Sequence, residues 1–481
     1  MRTIAEAETD RVPFSIKLYY GAGSVAEGTK TASFNVFLLF YYNQVLGVPG
    51  TLSGAAIFLA LCIDAITDPL VGSFSDGFHS RWGRRHPFMY LAALPMAVCF
   101  VLLFNPPAGL GPTGLFAWLA TFAVGVRVSM TFYAIPSDSM VPEITTDYDE
   151  RTSMVSFRYL FGWMGGLMTA QLGYLYFFAP SPSFTDGRFD PQAYGRFAFA
   201  GALMIAAAIL TCALGTHRLI PTLRPASATA PPSFTRLREE VRSVLRNPSY
   251  RMLVLGALFA AVAAGFNDVI GLYMNTYFWG FSTAQIAVLV YALAIAVILA
   301  FVLARPLTQR FEKKRTVLGL AAVGMLLGPL PVFLRFVGLM PQNGEPLLLA
   351  VMFVHALCMV TIVVTIGITV ASMIADIVDE HELETGRRQE GMFVAAIAFV
   401  GKSTSGLGGF LAGVGLDAVG FPRGAAVGDV PAHKLFDLGL VVAPILVVLY
   451  LLSLVCLSRY RITRQQHLST LAALARRSVA R

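Results

Sequence analysis

Two carboxylates, Asp64 and Asp68, stand four residues apart in CIDAITDP (62–69), within an otherwise apolar run. Positions i and i+4 of a helix lie on one face, so these side chains are expected to be neighbours. Like charges repel in an apolar environment, and each is costly to bury without a partner. With Thr67 the pair offers several hard oxygens that suit Na⁺, and a proton on one acid also relieves the repulsion. The pattern predicts a coupling-cation site.

A single lysine, Lys402, interrupts GMFVAAIAFVGKSTSGLGG (391–409), a run rich in small and apolar residues. An ammonium group at membrane depth needs an anionic partner. Asp64 or Asp68 is the expected partner, and a lysine that pairs with them when the cation leaves prevents an empty, doubly charged site.

Further ionisable residues interrupt the apolar runs: Glu27, Lys30, Arg127, Asp138, Asp268, His355 and Asp417. Charged residues inside a membrane usually face the bundle interior and mark a substrate or ion path. Each can equally be a satisfied pair between helices or a side chain at a span end. Both interpretations stay open, and Glu27 with Lys30, three residues apart, can simply pair on one helix face.

The segment GSFSDGFHSRWGRRHP (72–87) is predicted to be a loop between two spans. Asp76 closes the first span, and Arg81, Arg84 and Arg85 precede the next. Arginine holds carboxylates and helix C-termini through charge-assisted bonds, so these residues can latch the cytoplasmic side shut. Anchoring by positive charge alone accounts for the arginines but not for Asp76.

The acidic segment ADIVDEHELETGRR (375–388) lacks the spacing of metal ligands and is expected to be a solvated cytoplasmic loop. The sequence has no zinc-protease, nucleophile-elbow or P-loop motif, so neither an enzyme nor an ATP-driven pump is supported. Its five cysteines lie in apolar runs without a pairing pattern and are expected to pack as small apolar residues. No cofactor is predicted beyond a coupling cation.

These residues need a membrane scaffold to position them. The chain has 481 residues, of which 56% are hydrophobic and 13% charged, with a mean hydropathy of +0.66. Soluble domains are about 25% charged, so the composition predicts an all-α membrane protein. We expect twelve transmembrane helices near 18–46, 51–76, 87–106, 113–139, 154–179, 195–217, 250–279, 284–304, 315–338, 347–374, 391–416 and 434–458.

A polar connector rich in Pro, Arg and Ser divides the chain. The predicted parts are a six-helix half (1–217), a cytoplasmic linker (218–249), a second six-helix half (250–458) and a cytoplasmic tail (459–481). An internal repeat supports two halves, since the Pro-Leu pairs at 69–70 and 306–307, and also Arg151 and Arg388, are 237 residues apart. Such repeats build many secondary transporters, with a site at the midplane between them.

The charge distribution predicts orientation. With both termini cytoplasmic, most Lys and Arg residues fall in cytoplasmic segments, as the positive-inside rule requires. This explains the net charge of +8 without a nucleic-acid partner. We expect a multi-pass protein of the plasma (bacterial inner) membrane, with lipid, a cation and a small molecule as partners.

Three blocks of sequence carry a family resemblance: DAITDPLVGSFSDGFHSRWGRRHPF, VPEITTDYDERTSMVSFR and ADIVDEHELETGRRQEGMFVAAIAFVGK. They resemble the signature blocks of glycoside–pentoside–hexuronide:cation symporters, the melibiose permease-like branch of the major facilitator superfamily. The resemblance runs over the whole chain. It implies the twelve-helix facilitator fold, alternating access, and uptake of a sugar, glycoside or hexuronide coupled to Na⁺, H⁺ or Li⁺.

Residue by residue, the resemblance implies cation-binding roles for Asp64, Thr67, Asp68 and Thr131. It also matches Arg158 and Lys402 to a helix V arginine and a helix XI lysine of the family.

The sugar-binding acids of the melibiose type fall at Gly28 and Ala134, and the aromatic that stacks on the sugar falls at Asp138. Glu27 and Asp138 are candidate replacement acids. Ion coupling is therefore expected to be kept while galactoside recognition is lost.

Two alternatives follow. The same blocks are similar to those of sodium-dependent lysophospholipid carriers, which makes a cation-coupled carrier of a larger amphiphile the first. A non-transporting membrane sensor on the same fold, which needs no ion site, is the second.

Overall fold

The computed structural model describes residues 11–78, 80–145, 147–223, 247–385 and 390–479. The described residues are helical, with no β-strand among them. They fall into two compact units, one within residues 1–231 and 422–426 and the other within 232–421 and 427–481. The α-helices of the first unit are α1 (Phe14–Ala22), α2 (Ser24–Ala32), α3 (Gly50–Gly77), α4 (His86–Leu103), α5 (Pro112–Ile144), α6 (Tyr148–Leu172) and α7 (Pro191–His217).

The second unit contains the remaining α-helices. They are α8 (Pro248–Tyr273), α9 (Thr283–Phe311), α10 (Lys313–Leu327), α11 (Leu330–Phe336), α12 (Pro346–Thr385), α13 (Glu390–Ala418), α14 (Ala432–Ser458) and α15 (Arg464–Val479).

Local sequence signals set several of the helix starts. Asp190, Asn247 and Ser282 each accept a backbone N–H from the first turn of the following helix, and Ser282 forms a full capping box with Gln285. Side-chain caps of this kind satisfy N–H groups that have no partner within the helix. Proline stands just inside α7 and α8, where its missing N–H is not needed.

Small residues bring α2 against α6. A Cβ atom added at Gly28 would lie 2.0 Å from the carbonyl oxygen of Gly162, and one added at Gly165 would lie 2.7 Å from that of Val25. The two backbones therefore touch without intervening side chains, a packing mode common between membrane helices. This contact places the acid and basic residues of the two helices on adjoining faces.

The start of α6 also holds the segment that precedes α1. Glu150 accepts a hydrogen bond from the backbone N–H of Val12 at 3.0 Å and lies 2.8 Å from Nζ of Lys17. The hydrogen bond from Lys17 holds the pKa of Glu150 below its usual range.

Nine helices within the described residues are long and apolar enough to cross a membrane. The first expected span is divided among α1, α2 and two π-helical segments, Ser33–Leu38 and Tyr41–Val45. The fifth corresponds to α6, which is long but carries Arg158 and Gln171. The eleventh expected span lies within α13, whose side chains are described only in part. The described apolar stretch of this helix, Gly406–Ala418, is shorter than a membrane span. The count of twelve therefore stays a prediction.

The expectation of a solvated loop at 375–388 is wrong for its described part. Helix α12 continues to Thr385, and Ile374, Ile377 and Val378 on its last turns belong to a buried apolar cluster with Val317. The helix continues because these apolar residues are buried in the cluster, and because Asp376 and Glu380 bind Lys313 and Asn247. Residues 386–389, including the repeat position Arg388, lie outside the described part of the chain.

The predicted loop at 72–87 is likewise shorter than expected. Helix α3 runs through Asp76 to Gly77, and α4 begins at His86, so only residues 78–85 connect them. The Pro-Leu pairs of the repeat lie inside α3 and α9, shortly before the end of each helix.

Candidate functional site

The two stacked acids of α3 meet a hydroxyl of α5. Oγ1 of Thr131 lies 2.9 Å from Oδ1 of Asp64 and 2.9 Å from Oδ1 of Asp68. One hydroxyl thus bridges both carboxylates, and the three side chains bring hard oxygens to one spot. The structure thus brings Asp64, Asp68 and Thr131 together; that they bind a cation stays a prediction.

Arg127, for which the sequence left a functional and a structural interpretation open, also belongs to this cluster. Nη1 of Arg127 donates to Oδ2 of Asp64 at 3.3 Å, and both side chains are buried. The guanidinium also lies 5.6 Å from the ring centre of Phe34. Arg127 and Thr131 are four residues apart on α5, which puts both donors on one helix face. That spacing was the available clue.

The donor set suits a small hard cation. Carboxylate and hydroxyl oxygens are the ligands that such ions prefer. Asp64 is buried, whereas Asp68 is half-buried. Thr67, predicted as a further ligand, donates instead to the main-chain carbonyl of Asp64 at 3.2 Å. Lys402 lies on α13 in the second unit, and its pairing with the acids stays a prediction.

A second charged cluster surrounds Arg158 on α6. The guanidinium forms an ion pair with Asp138 of α5 and lies 3.8 Å from Glu27 of α2. It donates to the hydroxyl of Tyr20 at 3.1 Å, and that hydroxyl donates to the carbonyl oxygen of Ser137 at 3.1 Å. The structure therefore brings together Glu27, Asp138 and Arg158, three of the four residues predicted to bind substrate or to couple it. Tyr20 joins them, and the role of the fourth, Lys402, stays a prediction.

The Arg158 cluster can bind a polar ligand. The Glu27 and Asp138 side chains are about half exposed, at 50% and 54%, whereas that of Arg158 is 15% exposed. Two accessible carboxylates held by one arginine can accept hydrogen bonds from hydroxyl groups while the arginine donates to a ligand oxygen. Gly28, on the same helix as Glu27, has no space for an acid because of its contact with Gly162.

Two of the predicted latch residues, Arg84 and Arg85, contact an acid that the sequence analysis did not single out, Glu143. Arg85 contacts Asp76 at 2.6 Å and Glu143 at 3.1 Å, and it donates to Oγ of Ser75 at 2.9 Å. Arg84 contacts Glu143 at 2.8 Å. One carboxylate at the end of α5 thus binds two arginines at the start of α4.

Arg81 does not join this cluster. Its guanidinium lies 5.4 Å from the ring centre of Trp82, and within the described ranges no acid lies within ion-pair distance of it. Glu143 belongs to the block VPEITTDYDERTSMVSFR. It follows a predicted span, and this position could have indicated that it pairs with the arginines of the latch.

The second unit contains a comparable bridge. Nζ of Lys313, at the start of α10, lies 2.7 Å from Oδ1 and 2.8 Å from Oδ2 of Asp376 on α12. Nε2 of His467 on α15 lies 3.5 Å from the same carboxylate.

His355, one of the ionisable residues within the apolar runs, has a main-chain partner. Its Nε2 lies 3.0 Å from the carbonyl oxygen of Leu327.

The sequence matches one family model over most of its length. Residues 19–464 match the model for MFS/sugar transport proteins. The chain belongs to this family. The resemblance to glycoside–pentoside–hexuronide:cation symporters of the major facilitator superfamily is thereby confirmed.

Three family relatives span nearly the whole chain. An inner membrane symporter, YicJ, of Escherichia coli K12 is 24% identical over 94% of this chain and 93% of its own. An isoprimeverose transporter of Lactiplantibacillus pentosus is 24% identical over 85% and 81%. The sodium-dependent lysophosphatidylcholine symporter 1 of Gallus gallus is 25% identical over 97% and 90%.

A solved structure supports the fold. The nucleoside transporter NupG aligns with a TM-score of 0.62 and 14% identity, covering 93% of this chain and 100% of its own. At that identity the likeness carries the fold alone. The family and its structural neighbours are multi-pass membrane transporters, not enzymes.

Proposed function

We propose that this family member is a secondary active symporter that couples Na⁺, H⁺ or Li⁺ to uptake of a sugar, glycoside or hexuronide by alternating access. The observation that carries the proposal is the pair Asp64 and Asp68 bridged by Thr131. Two acids at membrane depth are expensive without a cation, and a cation that enters and leaves is what a symporter needs. The name of one relative, an isoprimeverose transporter, supports the substrate class.

The proposal includes twelve spans, two six-helix halves joined by the linker at 218–249, and both termini in the cytoplasm of an inner-membrane protein. The family match over residues 19–464 and the facilitator-type neighbour support this arrangement. In it, the Asp64 pair binds the cation, and the Arg158 cluster contacts the substrate.

The test of coupling is uptake into proteoliposomes with an imposed Na⁺, Li⁺ or proton gradient. Asp64→Asn and Asp68→Asn are expected to abolish gradient-driven uptake while the purified protein remains folded, because each removes a charge that the cation must neutralise. Thr67→Val is the matched control, since its hydroxyl bonds to the backbone. Concentrative uptake by both Asn variants at the unmodified level contradicts the cation site.

The substrate class is tested by a thermal-shift screen of sugars, glycosides, glucuronides and lysolipids, each with Na⁺, Li⁺ or low pH. A hydroxyl-rich ligand that binds at the Arg158 cluster is expected to lose at least about tenfold in affinity in Asp138→Asn, since a charged hydrogen bond is worth roughly 1.5–3 kcal/mol. A ligand whose affinity is unchanged in that variant contradicts this placement.

The cation-coupled carrier of a larger amphiphile is the second candidate function. Two observations favour it: Gly28 and Ala134 stand where the sugar acids are expected, and the lysophosphatidylcholine symporter covers 97% of this chain. Stabilisation by lysolipids but by no sugar or glycoside selects it. Absence of both cation-dependent stabilisation and uptake selects a non-transporting sensor.

A further inference from the structure

The C-terminal helix α15 follows directly after α14, a helix long and apolar enough to cross the membrane. Helix α14 ends at Ser458 and α15 begins at Arg464. A connector of this length spans at most about 20 Å. Within it, Tyr460 and Ile462 are buried in the apolar cluster at the end of α12. Helix α15 therefore stays within reach of the membrane surface at which α14 ends.

One side of α15 packs on α12. Nε2 of His467 lies 3.5 Å from a carboxylate oxygen of Asp376, and Thr470 and Leu474 are partly buried. Positions 467, 470 and 474 are three and four residues apart, as on one face of a helix. This docked side determines which residues of α15 point away from α12.

A different side of α15 exposes apolar residues. Leu468 and Leu471 are 57% and 41% exposed, and Ala472 beside them is exposed as well. Their spacing makes them a second stripe on the helix, which we call the outer stripe. The exposed side chains of Arg464 and Arg476 lie four residues before Leu468 and four residues after Ala472. Burial of such leucines is favourable, and the boundary between lipid headgroups and acyl chains accepts an apolar stripe bordered by arginine.

The charge of the tail identifies the surface that fits this stripe. Residues 459–481 contain six arginines and no aspartate or glutamate. In the proposed orientation this end of the chain lies at the cytoplasmic leaflet, whose anionic lipids attract arginine. A second copy of the same basic face would be repelled, because like charges would meet. Charge complementarity therefore favours an anionic lipid surface.

We propose that α15 is an interfacial helix that inserts Leu468 and Leu471 into the cytoplasmic leaflet and binds anionic phospholipid headgroups through Arg464 and Arg476. The docked side keeps its contact with α12 while the outer stripe enters the lipid. The helix thereby holds the end of α12 at the membrane surface.

The experiment places a fluorophore on single cysteines of the full-length protein, after replacement of its five native cysteines. The protein is reconstituted in nanodiscs of phosphatidylcholine alone or mixed with phosphatidylglycerol. The label at Leu471→Cys is expected to be quenched by lipids that carry a spin label high on the acyl chain. Ser469→Cys is the matched control, because Ser469 is exposed but lies outside the outer stripe. Its label is expected to remain in water.

The contribution of charge is measured with the same label. Quenching at Leu471→Cys is expected to be stronger with phosphatidylglycerol and to weaken at high salt, because salt screens the attraction. Arg464→Gln and Arg476→Gln are each expected to lower the ratio of inserted to free helix by about fivefold in nanodiscs with phosphatidylglycerol.

The outcomes are distinct. Equal quenching at Leu471→Cys and Ser469→Cys overturns the inference, as does equal quenching in the two lipid compositions. A Leu471→Cys label that is shielded from water but not quenched by lipid indicates that protein covers the outer stripe, which also overturns the inference.

A second measurement needs no cysteine replacement and decides if that protein does not fold. Trypsin cleavage after Arg464 and Arg476 of the unmodified protein is expected to be at least about fivefold slower in nanodiscs with phosphatidylglycerol than in phosphatidylcholine alone. Equal rates overturn the inference.

Discussion

Arg85 and Glu143 join the start of α4 to the end of α5, with Nε and Nη2 of the arginine 3.2 Å and 3.1 Å from the same carboxylate oxygen. The Arg85 side chain is 5% exposed and that of Glu143 is 9% exposed. In the second unit, Lys313 at the start of α10 pairs with Asp376 on α12. Each unit therefore contains a basic residue at the start of one helix that pairs with an acid in the later part of a following long helix.

Glu143→Gln is expected to weaken the latch more than Asp76→Asn. Glu143 binds both Arg84 and Arg85 and is buried, whereas the Asp76 side chain is 63% exposed, and exposed ion pairs contribute little. The measurement is labelling of cytoplasmic cysteine probes, together with ligand affinity. We expect changed accessibility with little change in affinity.

The control for this variant is Arg81→Ala, because Arg81 lies against Trp82 rather than in the latch. Equal changes in labelling for Glu143→Gln and Arg81→Ala would contradict a specific latch, and so would a large loss of ligand affinity with unchanged labelling.

The acid pair was predictable because helical spacing and the family motif agree on it, and Thr131 was predictable from the family motif alone. The partner of Arg127 was not predicted, since its spacing from Thr131 indicates a shared helix face but not which acid the guanidinium contacts. Only the packing of α5 on α3 shows that it meets Asp64. The sequence thus predicts groups that share a helix face better than partners that come from different helices.

The extent of α12 was missed for a related reason. Its last turns carry several acids, and local composition alone predicts a solvated loop. Lys313 and Asn247, which contact Asp376 and Glu380, are far away in sequence. Tertiary partners therefore extend a helix where composition argues against one.

Gly28→Ala is expected to destabilise the protein by about 1–3 kcal/mol or more, because a methyl group there would lie 2.0 Å from the carbonyl oxygen of Gly162. Backbone cannot yield as a flexible side chain does. Gly271→Ala is the matched control, since nothing lies within 4 Å of its added Cβ atom. Thermal unfolding in detergent measures both, and equal midpoints would contradict close packing of α2 on α6.

The last prediction concerns Lys402, which lies on α13 within the run that begins at Glu390. An ammonium at membrane depth needs an anion, and a carboxylate of the predicted cation site, Asp64 or Asp68, is its expected partner. If Na⁺ and Lys402 share that carboxylate in turn, Lys402→Ala removes the competitor. The half-saturating Na⁺ concentration for thermal stabilisation is then expected to fall, while net uptake is lost.

Lys402→Arg distinguishes charge from shape, because the planar guanidinium differs from a compact ammonium. We expect it to rescue uptake poorly although it restores the positive charge. A side chain that exchanges with the ion has to fit the space that the ion occupies. The guanidinium of arginine is larger than the ammonium of lysine and fits this space less well. Wild-type uptake and an unchanged Na⁺ midpoint in Lys402→Ala would show that this lysine does not compete with the coupling ion.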